Sequence, residues 1–145
     1  MRYFILAMLL LPLMFGCSKE SDTIVGDWFM CYFEVSSSDC ENPENNYSES
    51  QEFTKETTYG FMSLTTDNKF TIQASDESVV KGTWSLKGRK LTLQYDEIQS
   101  DETQPELPSP QTVDIVFDGD DKFFLTYTES YGSSIYKNKQ GWQRM

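Results

Sequence analysis

The feature that most limits what this chain can fold into is a strict alternation of apolar and polar residues in short runs. Phe70 and Ile72, then Trp84 and Leu86, then Leu91, Leu93 and Tyr95 recur at every second position. Val113, Ile115 and Phe117 follow, and then Phe123, Leu125 and Tyr127. Successive side chains of a strand point to opposite faces, so each run has one face to bury and one to leave in water. The wet positions hold Thr71, Gln73, Lys81, Thr83, Lys90, Thr92, Gln94, Asp114, Lys122 and Thr126. Turn-forming stretches separate the runs, "TTDN", "KGR" and "DGDD" among them. Nothing after residue 20 repeats with a helical period.

The pattern predicts strands over Ile24–Val35, Thr57–Leu64, Phe70–Ala74, Val79–Leu86, Lys90–Tyr95, Thr112–Phe117 and Lys122–Thr128, with a short closing hairpin in the final stretch "SIYKNKQGWQRM". Residues 36–56 and 96–111 are polar and acidic and read as long loops. Sequential strands with short connections pair as antiparallel neighbours. The expected fold is therefore all-β, an up-and-down antiparallel meander of about eight strands. Each strand buries one face, so the sheet must close, and eight strands make a barrel just filled by side chains or holding one small ligand.

The leader sets the address. "MRYFILAMLLLPLMFG" has Arg2 as a short positive region and an apolar run too short, and too interrupted by Pro12, to span a bilayer. Gly16 then precedes Cys17, and "MFGC" resembles the lipobox of bacterial lipoproteins. That resemblance implies removal of residues 1–16, lipidation of Cys17, a tether over 17–23 and a single domain over 24–145. The alternative is an ordinary secretory signal followed by an incidental cysteine. Several acyl chains would hold the protein stably on a membrane, which makes the anchor its membrane partner. The expected location is the outer membrane of a Gram-negative bacterium, on its periplasmic or outward face. "CSKESD" partly resembles the signals that export lipoproteins of Bacteroidota to the cell surface.

With Cys17 lipidated, Cys31 and Cys40 remain, and an even pair outside the cytoplasm suggests a disulfide. The other reading is two free thiols, one buried and one exposed. The net charge of −11 excludes a nucleic-acid partner, which needs a basic face. It suits a tethered domain that must stay hydrated. If the two acidic loops reach one end of the barrel, they would rim it with negative charge and disfavour anionic ligands such as free fatty acids.

Catalytic chemistry has little to stand on. The chain has no histidine, so Ser-His-Asp triads, Cys-His pairs and the usual zinc sites are out of reach. No phosphate-binding or dinucleotide motif appears, and no cofactor is expected. Paired carboxylates remain, but the acids fall in loops or on wet faces. Asp118, Asp120 and Asp121 in "FDGDDKF" invite calcium, yet the segment lacks the length and the closing Glu of a calcium loop, and a hairpin turn explains it; no metal site is expected. The aromatics are the better lead. Trp84, Tyr95, Phe117, Phe123 and Tyr127 face inward and either fill the barrel or line a ligand cup. Phe29, Phe33 and Phe124 fall on the opposite faces, under the long loops or in an exposed patch for a protein partner.

Ile24-Val25-Gly26-Asp27-Trp28 at the head of the first strand, the hairpin "GTWSLKGRKLTLQY" and Arg144 at the chain's end together resemble the lipocalin and fatty-acid-binding superfamily. Within it, the chain is similar to small lipocalin-like lipoproteins of Bacteroidota. The resemblance implies that Trp28, in Gly-x-Trp, closes the barrel's base with Arg144 packed across its ring. It also implies a fold with a possible ligand cup, without naming a ligand; the expected function is that of a non-enzymatic envelope protein that binds a small apolar or aromatic ligand. The competing expectation is a filled barrel that meets an envelope protein through its acidic loops.

Overall fold

The computed structural model describes residues 24–74, 77–100 and 107–145; the leader, Cys17 and the tether lie outside them. Among the described residues nine strands follow one another: β1 Gly26–Asp39, β2 Tyr47–Glu52, β3 Gly60–Leu64, β4 Lys69–Ala74, β5 Val79–Lys87, β6 Lys90–Gln99, β7 Gln111–Phe117, β8 Lys122–Tyr131 and β9 Ser134–Arg144. Every pairing is antiparallel, and β1 hydrogen-bonds to β9, so β1 and β3–β9 close an eight-stranded barrel with β2 added outside the ring. The inward residues read from alternation all belong to the core or pack against it, from Phe70 and Ile72 to Leu125 and Tyr127.

β1 explains the extra strand. It pairs with β9 from Trp28 to Asp39, whereas its other edge serves β3 over Gly26–Phe29 and β2 over Tyr32–Ser37. At the change of partner, Cys31 O accepts from Phe53 N at 2.9 Å and Met30 O from the Thr58 hydroxyl at 2.7 Å, so the ladder loses no acceptor there. Residues 36–39 thus continue the strand, and the predicted loop over 36–56 contains a short 3₁₀ turn, Pro43–Asn45, and β2. Asp39 organises that connection: its Oδ1 accepts from the backbone N–H groups of Glu41 and Asn42, which holds its carboxyl below the usual range.

A β-bulge sits at Cys31. Met30 faces Trp142 on β9 and Tyr32 faces Gly141, leaving Cys31 as the additional residue. Parity changes there. Trp28 and Met30 face the interior before the bulge, and Phe33 and Val35 take that side after it. Phe33, expected on the outer face, lies opposite inward-facing Gln140 instead. On the outer face Phe124 is covered by Tyr32, ring centroids 6.2 Å apart, and by Lys139, whose Nζ lies 4.5 Å from the Phe124 centroid.

The expected disulfide is absent. Cys31 and Cys40 are free thiols, buried and exposed respectively. The reason is the length of β1: the two cysteines lie nine residues apart along extended chain, roughly 30 Å at about 3.3 Å per residue. A disulfide needs Cα atoms within about 7 Å.

Candidate functional site at the open end of the barrel

The two ends of the barrel differ. One carries the tight turns 65–68, 88–89 and 118–121 and the chain's C-terminus. There Trp28 is 1% exposed and packs edge-on against Phe123, centroids 4.6 Å apart, while Phe123 meets Phe117 at 6.3 Å. The Trp28 indole N–H donates to Ile24 O at 2.9 Å. The Arg144 guanidinium carbon stands 4.3 Å from the Trp28 ring centroid, and Nη1 donates to Val25 O at 3.0 Å. A cation over the indole face is attracted by the ring quadrupole, and the fork also satisfies a carbonyl. Gly26 makes room: its φ is +146°, and a Cβ there would overlap Arg144 Nη1. Asp120 O and the Asp121 carboxylate meet the other guanidinium nitrogens, so the "DGDD" hairpin belongs to this closure.

The other end is open. The β1–β2, β2–β3 and β8–β9 connections begin and end there, as do the flanks of the β6–β7 connection. A cup of 210 Å³ descends between the sheet walls. Met62, Leu93, Val113, Leu125 and Trp142 form its apolar depth, and Tyr95, Gln111, Tyr127 and Gln140 form a polar upper wall. The Tyr95 hydroxyl donates to Gln111 Oε1 at 2.8 Å. Burial raises the Tyr95 phenol above its ordinary value, with the Tyr127 phenol adding to the shift; burial also raises Tyr127, with Glu129 adding to it. Both phenols therefore stay neutral donors at physiological pH. Trp142, 2% exposed, has an indole N–H with no partner among the described residues. The Trp84 indole N–H is likewise buried without a partner among the described residues, and a buried donor left unmade costs about 1–3 kcal/mol.

The wall is shaped by Gly82. Phe70 on β4, Gly82 on β5 and Tyr95 on β6 stand in one row. A Cβ on Gly82 would overlap Gln94 O and press on the Phe70 ring. Without it, Phe70 and Tyr95 meet edge to face across the glycine, centroids 5.7 Å apart.

Above the cup lies a second space, an open groove of 410 Å³ floored by Met30, Phe33, Val35 and Phe53 and edged by Glu49 to Gln51 of β2. Met30 and Tyr59 line both spaces.

Of the five aromatics singled out from sequence, the structure brings Tyr95 and Tyr127 to the cup. Phe117 and Phe123 fill the closed end, and Trp84 packs in the core beside Leu93 without lining the cup. Met30, Tyr59, Gln111, Gln140 and Trp142 are cup residues that sequence reasoning passed over. Gln140 and Trp142 share the two-residue spacing of a strand, a signal available in "QGW" had the final stretch been read as one strand. No protein-family model matches the chain, and no curated protein matches its sequence.

Proposed function

We propose that this chain is a non-catalytic binding protein of the bacterial envelope, lipocalin-like in character and anchored through Cys17, whose open-end cup takes a small, mostly apolar ligand. The observation that carries this reading is the cup itself: 210 Å³ with an apolar floor and a neutral hydrogen-bonding wall of Tyr95, Gln111, Tyr127 and Gln140. Ligand sites generally combine an apolar lining with a few placed polar groups. The volume is below the roughly 300 Å³ at which drug-sized sites begin, so the ligand held within the cup is small. The leader and "MFGC" support the anchor and the outer-membrane address.

The test is thermal stabilisation by 4-methylphenol, a small neutral aromatic alcohol. A ligand bound only by the folded state adds about 2.7 kcal/mol at a hundred times its Kd. Stabilisation should be lost in Ala74→Trp, which places a large ring at the cup's mouth. No stabilisation by this or any comparable small neutral molecule would contradict the reading.

A second reading draws on β2. Tyr47–Glu52 is exposed throughout and lies at the end of the strand order, so its outer edge offers a ladder to another chain. It favours an envelope protein as partner. Co-purification of one stoichiometric protein, lost when Ser48 is changed to proline, would select it.

A further inference from the structure

The cup and the groove share a wall, and their chemistry differs. The register shows why they are neighbours: Phe33 in the groove lies directly opposite Gln140 in the cup, on the inner side of the β1–β9 pair. The bulge at Cys31 turns Phe33 and Val35 to that side, and so extends the apolar surface of the barrel interior upward under β2. Among the described residues, those that line the cup are all uncharged. Among the described residues, the single charged one in the groove is Glu49, which stands across from Val35 and has no ion-pair partner there.

We propose that cup and groove form one bipartite site for an elongated apolar molecule that carries a cationic amine, with the apolar body along Met30 and Phe33 and the ammonium group at Glu49. This rests on the binding function proposed above and specifies its ligand. Three features support it. Continuity through Met30 and Tyr59 offers more length than the cup alone. Rings of Phe33, Phe53 and Tyr59 border the groove, and aromatic faces attract cations. Among the described residues, the one charge lining either space is negative and without an ion pair, on a chain whose net charge of −11 repels anions at long range. A carboxylate ligand of the same shape would meet Glu49 without a compensating cation.

Calorimetric titration of the full domain at pH 7 with octylamine, octanol and octanoate separates shape from charge. Octylammonium should bind about tenfold more tightly than octanoate, with octanol between them, and the spread should shrink in high salt. Glu49→Gln should narrow the gap to about threefold. Glu49→Lys should reverse the order, whereas Asp114→Lys, the same charge change on the outer wall, should preserve it. Phe33→Ser should weaken octanol about fivefold and leave 4-methylphenol unchanged. Equal affinities for octylammonium and octanoate, or an equal effect of the two lysine substitutions, would overturn the charge selection. Binding of 4-methylphenol without octanol would overturn the bipartite site while leaving the cup's function intact. Failure of both neutral probes would bring down the binding function itself.

Discussion

Arg144 caps Trp28. The guanidinium lies 4.3 Å from the ring centroid and joins the last strand to the first through Val25 O. Because β1 and β9 are also hydrogen-bonded neighbours, this contact clamps the seam at which the barrel closes. Trp28→Ala should cost about 3–5 kcal/mol, the range for deleting a large buried aromatic. Arg144→Ala should cost about 1–2 kcal/mol, and Arg144→Lys should recover little of it, since an ammonium lacks the planar fork. Urea unfolding checks all three, and an Arg144→Lys variant as stable as the parent would sink the capping account.

Gly26 and Gly82 are intolerant of side chains for separate reasons. At Gly26 a methyl group meets Arg144 in a positive-φ backbone; at Gly82 it meets the Gln94 carbonyl and the Phe70 ring. Each change to alanine should destabilise by about 2 kcal/mol or more. Gly82→Ala should in addition weaken ligand binding, because Tyr95 rests on Phe70 across that position. Stability and 4-methylphenol affinity measured together distinguish the two sites.

The free thiols have different reactivities. In a chain beginning at Ser18, Cys40 should be alkylated rapidly in the folded protein. Cys31 is buried, and burial raises its thiol pKa, so it should react only on unfolding. Intact-mass analysis should find one label in buffer and two in denaturant. A native protein that takes up no label, and loses two mass units relative to its reduced form, would instead show a disulfide.

Stability should fall at both extremes of pH. The raised phenols of Tyr95 and Tyr127 keep their protons in the folded state while the unfolded chain begins to lose its own near pH 10. Their contribution is complete below that value and disappears as pH rises through the folded pKa. Tyr95→Phe and Tyr127→Phe together should flatten the alkaline slope. Asp39 behaves in the opposite sense. Its carboxyl is lowered by the Glu41 and Asn42 N–H groups, so its contribution is present above the ordinary value of 3.8 and is lost as pH falls below it. Asp39→Asn should flatten the acid slope; unchanged slopes would contradict both assignments.

What the sequence showed of this fold, and what it hid, divides at the barrel's mouth. From Phe70 to Tyr127 the strands alternate because one face meets a dry core, and the inward residues are legible one by one. Above the mouth that constraint relaxes. "SSSD" in β1 buries Ser37 and Asp39, which are polar, and "YSESQE" in β2 is exposed throughout, so neither strand carries an alternation of apolar residues. β9 looks polar for the same reason: Asn138 and Gln140 face the mouth, and only Trp142 reaches the apolar depth. The bulge at Cys31 then inverts parity, and no pattern of alternation foretells a bulge. Tyr95 and Tyr127 were recoverable as cup residues because each continues the regular alternation of its strand, after Leu91 and Leu93 and after Phe123 and Leu125. Met30, Tyr59 and Gln111 were not, since their positions depend on how β1 changes partners and where β7 begins.

The most direct measurement of the central claim is native mass spectrometry of the protein released gently from the envelope of its own host. A small-molecule adduct is expected on the parent chain, retained in Glu49→Gln at lower occupancy and missing from Ala74→Trp. A bare chain in all three, or an adduct that survives Ala74→Trp undiminished, would contradict a ligand seated in the open-end cup.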